Sequence, residues 1–424
     1  MNKTIPNQEH LKMLLREQLK DFENQELGVE REKLAEISKY IDNPYAVVIS
    51  GLRRVGKSTL MGQIARKHYK DNYYFVNFEN ERFLNFESSD FSSLHETLVE
   101  LFGERKVFFL DEIQNVEGWE HFVRRLLDQK YKLYITGSNA SLLSQELGTK
   151  LTGRYIPIEL YPFSFKEFLK LKNETKNTPL TIIERGKLKF LFDKYLKTGG
   201  IPDTIKYPAL PIHKTLYDDV IYRDIATRYK IDDPTPLREL AFYLLSNICS
   251  SISFNKLKDL LKLGSGNTVR SYIGYLETSW LISTVNVYAY SIKKQQIAPK
   301  KVYAIDTGLV KSIAFSFSAN SGKYLENAVQ IALKRSGEKI YYFKTSKGYE
   351  VDFYLPQKKQ LIQVTKSFEN EDTKQREIRA IVEAAKETKA KNCLILTWDQ
   401  EERLVVDGIS IEIKPVWQWL LTNS

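Results

Sequence analysis

Cysteine is almost missing from this chain: Cys249 and Cys393 are the two present, far apart and in no Cys-x-x-Cys pair. That excludes a disulfide framework and a thiolate zinc site. Histidine is also scarce, with five scattered residues and no metal-binding spacing. No stretch approaches the roughly 20 apolar residues that span a bilayer. The segment from Met1 to Lys20 is polar and lacks the apolar region of a secretory leader. Low-complexity tracts and short-period repeats are missing too. What remains is a soluble protein, expected in the cytoplasm and without a membrane partner. It should have several domains, because one hydrophobic core rarely serves 424 residues.

Charge is abundant. Sixty-three basic residues against 53 acidic ones leave a formal net charge of +10, which suits an anionic partner such as nucleic acid. The two signs are interspersed, so charge alone does not choose that partner over none.

Between residues 46 and 160, short apolar runs alternate with helical patterns. Ala46–Ser50, Tyr73–Glu79, Lys106–Glu112, Lys132–Ser138 and Arg154–Leu160 read as strands, the middle ones apolar throughout, as in a parallel sheet covered on both faces. Helices are expected between them over Ser58–Lys70, Phe91–Phe102, Gly118–Gln129 and Ser141–Leu147, which makes a doubly wound α/β domain. The sequence predicts a charged helical arm over residues 1–45, with a helix over Val29–Ile41, and a mostly helical segment over 161–235. Residues 236–295 read helix, helix, glycine turn, helix, strand pair, the order of a winged helix-turn-helix, with Ser253 and Asn267 as the expected helix caps. Residues 296–424 are mixed α/β.

Gly51-Leu52-Arg53-Arg54-Val55-Gly56-Lys57-Ser58 follows an expected strand and opens an expected helix, the context of a P-loop. The backbone N–H groups of Gly51, Arg54, Val55 and Gly56 would wrap phosphates, and Lys57 would neutralise the β- and γ-phosphates of ATP. The Ser58 hydroxyl would ligate Mg²⁺, and Thr59 would reach the α-phosphate. Val107 to Glu112 is an apolar strand ending in two carboxylates. Asp111 would hold the Mg²⁺ shell and Glu112 would polarise the attacking water. The strand ending at Thr136-Gly137-Ser138-Asn139 offers a polar sensor of the γ-phosphate, Ser138 or else Asn139. Arg154 is either an arginine finger, in cis or from a neighbouring subunit of a homo-oligomer, or a surface arginine.

In the winged-helix segment, Thr268, Arg270, Ser271 and Tyr275 would face a DNA groove. Lys256, Lys258, Lys262, Lys293, Lys294, Lys300 and Lys301 would contact phosphates. Winged helices also serve as protein-binding modules, and that alternative stays open.

The stretches Gly51–Leu60, Leu110-Asp111-Glu112-Ile113-Gln114, Thr136-Gly137-Ser138, Gly153-Arg154 and Leu160–Phe168 resemble the AAA+/STAND-like ATPases of archaea and anaerobic bacteria. Tyr195 to Pro202 resembles that family's lid signature, which implies that Pro202 packs on adenine. Lys301–Leu309 and Glu350–Phe353 resemble its C-terminal domain, which is similar to the restriction-endonuclease-like fold. That fold's nuclease site would use Glu326 on a helix, Asp352 on a strand and Glu-x-Lys on the next strand. Here Gln363 stands where Glu belongs, and Lys366 comes one residue late, so a degenerate centre is expected. The resemblance implies an ATP-hydrolysing switch or motor acting on duplex DNA. The alternatives are an assembly or signalling ATPase with a protein target and an ATP-dependent nuclease.

Overall fold

The computed structural model describes residues 8–138, 153–174, 180–314 and 321–423. The chain divides into two compact units, one ending at Leu160 and the other beginning at Tyr161.

In the first unit, β1 (Ala46–Ser50), β2 (Tyr74–Asn77), β3 (Val107–Asp111), β4 (Lys132–Gly137) and β5 (Tyr155–Glu159) form a parallel sheet in the order β2-β3-β4-β1-β5. Because β1 and β3 are buried at every position, their unbroken apolar sequences fit a sheet covered on both faces. Helices Lys57–His68, Phe91–Phe102 and Trp119–Asp128 connect the strands. This is a P-loop NTPase fold. Asn139, Thr152 and the helix expected over Ser141–Leu147 lie outside the described residues.

The N-terminal segment is no separate arm. Helix Gln8–Asn24 buries Leu11, Leu14 and Leu15 in the core, and Phe22 stacks on Phe75 with ring centroids 3.9 Å apart. The helix expected over Val29–Ile41 begins only at Lys33. Before it, Gln63 fixes the backbone: its Nε2 donates to the carbonyls of Leu27 (2.8 Å) and Val29 (2.7 Å), and its Oε1 accepts from the Arg31 N–H (3.1 Å). A helical start at Val29 would break that tertiary anchor, which outweighs the local apolar period.

The second unit carries nine strands among its described residues: β6 (Ser250–Ile252), β7 (Ile282–Val287), β8 (Lys300–Ala304), β9 (Tyr341–Lys344), β10 (Glu350–Leu355), β11 (Gln360–Val364), β12 (Asn392–Thr397), β13 (Glu402–Val406) and β14 (Ile409–Pro415). They form one mixed sheet, ordered β13-β14-β12-β11-β10-β9-β7-β8-β6. Helices Thr235–Ser246, Phe254–Leu260 and Gly266–Thr278 accompany the antiparallel trio β6-β8-β7. β7 then pairs with β9 through Asn286–Tyr341 and Val287–Tyr342. The division expected at residue 295 therefore falls inside one continuous sheet, since the outer edge of β7 is capped by β9.

Candidate functional site

The site lies where β1, β3 and β4 end together, with Ser50 level with Gly137 and the Asp111 end of β3 beside β4. β1 turns there into the loop 51–56. A Cβ on Gly51 would sit 2.3 Å from the Leu160 carbonyl oxygen, so only glycine lets the loop leave the sheet beside β5. Gly56 has φ +95°, the left-handed conformation that glycine adopts without a steric penalty, and helix Lys57–His68 starts directly after it. The first N–H groups of that helix and the loop amides make an anion cradle. Arg54 is exposed at the rim, whereas Val55 is buried.

Lys57 is buried, its Nζ donating to the carbonyls of Gly51 (3.2 Å) and Leu52 (3.4 Å) and pairing with Glu112 Oε1 at 3.3 Å. Ser58 Oγ donates to Asp111 Oδ2 at 2.7 Å. The other Asp111 oxygen accepts from the Thr136 hydroxyl, whose oxygen accepts the Glu112 N–H at 2.9 Å. Burial and the adjacent Glu112 charge push the Asp111 carboxyl up to about 6, against the hydrogen bonds of Thr136 and Ser58 and the Lys57 charge. Burial works in the same direction on Glu112, but Lys57 and a hydrogen bond from Gln114 hold it below the ordinary carboxylate value. Glu112 is left-handed (φ 51°, ψ 38°), a conformation that costs roughly 1–3 kcal/mol away from glycine and clusters at functional sites. Ser138 meets this carboxylate through its backbone, with its N–H donating to Glu112 Oε2 at 3.2 Å.

Arg154 has the position of a surface arginine. It precedes β5, which runs parallel to β1 with Tyr155 level with Ala46, so it stands at the end of the sheet opposite the loop. Five strand residues separate the ends by about 16 Å. Its guanidinium pairs with Asp128 at 2.6 Å. It cannot serve as a finger in cis.

In the second unit, Glu326 and Asp352 do come together, but around a lysine. Lys301 Nζ pairs with Asp352 at 2.8 Å, Glu350 at 2.9 Å and Glu326 at 3.2 Å, and Tyr303 donates to Glu326 at 2.8 Å. Lys301 was expected to contact phosphate near the wing, yet it is 3% exposed. It shares a face of β8 with Tyr303, two residues on, in a strand buried from Lys301 to Ala304. Gln363 does not join the cluster by charge: its Oε1 accepts the Asp352 N–H (3.0 Å) and its Nε2 donates to Glu377 (2.6 Å). Lys366 is exposed beyond the end of β11. Among the described residues, no group of three or more His, Cys, Asp or Glu side chains is arranged to hold a metal.

The expected recognition helix runs over Gly266–Thr278, capped by Ser265 rather than Asn267, and Ser253 makes no side-chain cap. A groove of about 840 Å³ beside it is lined by Phe254, Asn255, Arg270, Gln295, Gln296 and Lys300. Of the four residues expected to face DNA, Arg270 lines it, its guanidinium 5.6 Å from the Phe254 ring. Ser271 is exposed, while the Thr268 hydroxyl engages Ser265 at 3.0 Å. Tyr275 is stacked on Tyr229, centroids 3.7 Å apart, so it belongs to the packing.

A model described as an AAA domain matches residues 43–169. Models described as domains of unknown function, DUF8612 and DUF4143, match residues 189–320 and 321–418. An uncharacterized protein of Methanocaldococcus jannaschii is 36% identical over 88% of this chain and 88% of its own length. A Haemophilus influenzae protein is 31% identical over 92% of this chain and 97% of its own length. The chain belongs to the family of these two proteins. Among solved structures, the Walker-type ATPase of Pyrococcus abyssi is similar at 16% identity and a TM-score of 0.42, over 67% of this chain and 95% of that one.

Two further residues belong to this site, Thr136 and Arg31. Thr136 was passed over for Ser138, though its burial and its place beside Asp111 show once the strand register is known. Arg31, 4% exposed, braces the loop, with Nη1 donating to the Val55 carbonyl at 2.7 Å. The Gly199-Gly200-Ile201-Pro202 stretch also acquires a packing reason. Gly200 N–H donates to Asp306 Oδ2 at 2.6 Å, and a Cβ on Gly199 would lie 2.0 Å from Asp306 Oδ1. Pro202 opens the short helix Pro202–Lys206.

Proposed function

We propose that this chain binds ATP with Mg²⁺, hydrolyses the ATP, and uses the cycle as a switch or motor on duplex DNA. The observation that carries the reading is the convergence of Lys57, Ser58, Asp111 and Glu112 at one end of a parallel sheet, beside the glycine-bounded loop 51–56. The Ser58 hydroxyl and Asp111 carboxylate are hard oxygens in contact, a donor pair that fits Mg²⁺ completed by phosphate oxygens. The ion would supply charge neutralisation at the β- and γ-phosphates. Lys57 would exchange Glu112 for a phosphate oxygen, and the released Glu112 would accept the proton of the attacking water. Thr59 is assigned to the α-phosphate and Pro202 to adenine. Arg154 is left with a role in trans, in a homo-oligomer.

The groove beside helix Gly266–Thr278 supports the DNA target, because Arg, Asn and Gln are the side chains that read base edges. Lys256, Lys262, Lys293 and Lys294 are exposed on the same group of elements. A protein target has its own support: Tyr290, Ile292 and Ile297 stand 88%, 72% and 74% exposed next to that groove. Cleavage of DNA is not favoured, since Lys301 occupies the focus of the carboxylates.

The test is steady-state ATP hydrolysis with and without duplex DNA. Wild type should turn over, with DNA raising the rate in a salt-sensitive way, and Glu112→Gln should lower turnover about 10²–10⁴-fold. Turnover indifferent to DNA moves the target to protein, and absence of turnover reduces the site to nucleotide binding.

A further inference from the structure

Glu112 has both carboxylate oxygens engaged, and by different kinds of partner. Oε1 faces the Lys57 ammonium at 3.3 Å. Oε2 accepts two N–H donors, the Ser138 amide at 3.2 Å and the side-chain amide of Gln114. The second donor is built into the backbone. After the left-handed turn at Glu112, residues Ile113–Asn115 form a single 3-10 turn. Asn115 N–H closes it onto the Glu112 carbonyl at 3.1 Å, and Asn115 Nδ2 ties it to the Phe78 carbonyl at 3.3 Å. Gln114 is thereby returned onto the residue two positions before it. With Nε2 committed to a carboxylate, Oε1 of Gln114 must point the other way, and that oxygen is buried without a hydrogen-bond partner. An unpaired buried acceptor is costly and marks a place where a donor is missing.

We propose that Gln114 is a positioning residue for ATP hydrolysis, holding Oε2 of Glu112 in place so that Oε1, once Lys57 leaves it for phosphate, is the oxygen that takes the proton of the attacking water. The inference rests on the ATPase function proposed for this site. Oε1 is the oxygen held by Lys57, so it is the one set free when the ammonium moves to a phosphate oxygen. With Oε2 held by the Ser138 amide alone, the carboxylate could rotate and would spend time with neither oxygen aligned, a loss expressed in turnover rather than in binding.

The experiment uses the full chain. Gln114→Met keeps the length of the side chain and removes the donor, and Gln114→Ser serves if the methionine variant does not fold. Turnover and KM for ATP are measured beside the affinity for a fluorescent non-hydrolysable ATP analogue and the thermal midpoint. The expected result is a kcat about 10–100-fold lower, with KM, analogue affinity and midpoint close to wild type. In a Glu112→Asp background, whose shortened carboxylate no longer meets Gln114, the same change should cost little more, a coupling that a merely structural role would not produce. Wild-type turnover that Gln114→Met leaves unchanged overturns this proposal alone, as does a parallel fall of affinity, midpoint and rate. A wild-type chain that binds the analogue but does not turn over ATP overturns the ATPase function and this proposal with it.

Discussion

Lys301 and Lys57 are both buried ammonium groups set against carboxylates, and the difference between them is what their partners can exchange for. Lys57 has one carboxylate and two carbonyls at the mouth of an anion-binding loop, so a phosphate can replace Glu112. Lys301 has three carboxylates and is closed in on every side. Burial opposes its charge, but Asp352, Glu326 and Glu350 together hold it protonated, well above the ordinary lysine value. Removing one partner of a buried ionic cluster strands the rest, at about 3–5 kcal/mol. Lys301→Met should therefore lower the urea midpoint sharply, whereas Lys366→Met, at an exposed position, should leave it within error. Equal midpoints for the two variants would show that the cluster contributes no net stability.

Between elements, the notable joint is the one linking three stretches distant in sequence. Asp306 caps helix Thr307–Ile313 by accepting the Leu309 N–H at 2.9 Å and with its other oxygen holds Gly200. Phe163 N–H donates to the Gly200 carbonyl at 2.6 Å. A Cβ on Gly308 would stand 2.1 Å from the Thr198 carbonyl oxygen, a backbone atom that cannot swing aside. The motifs around Phe163, Gly199 and Gly308 thus read as three sides of one packing contact in the second unit. Gly308→Ala has no left-handed backbone to confuse the result, and overpacking of this kind costs about 1–3 kcal/mol. Its thermal midpoint should fall by several degrees, with that of Gly186→Ala, where nothing lies within 4 Å, unchanged or slightly raised.

At the scale of the whole molecule, stability should depend on pH through Glu326. Burial first, and then the Asp352 charge, raise its carboxyl well above the ordinary 4.5, despite Lys301 and Tyr303. The folded form then binds a proton more tightly than the unfolded chain. The resulting stabilisation is complete below about pH 4.5 and is lost as pH rises through the folded-state value. Glu326→Gln keeps the shape without the titration, so its unfolding midpoint should vary less than that of wild type between pH 5 and neutrality. Parallel curves for the two proteins would place the titrating proton elsewhere. Among the described residues no helix is long and apolar enough to cross a membrane.

The P-loop, the Asp111–Glu112 pair and the five parallel strands were legible in the sequence because each rests on local chemistry: glycines where backbone must turn, and apolar runs where strands are covered on both faces. Strand ends in the first unit came within a residue or two, as with Ala46–Ser50 and with Val107–Asp111, expected over Lys106–Glu112. The rest depended on partners far along the chain. Only register puts Arg154 at the wrong end of its own sheet and Thr136 against Asp111. Only packing stacks Tyr275 on Tyr229, draws Arg31 to the loop, and buries Lys301 among carboxylates from a helix and from β10. A sequence states which side chains can carry charge or coordinate phosphate. Which of them meet is decided by the alignment of strands and the close approach of backbones, because hydrogen bonds and ion pairs act over a few ångströms and those distances exist only in the folded chain.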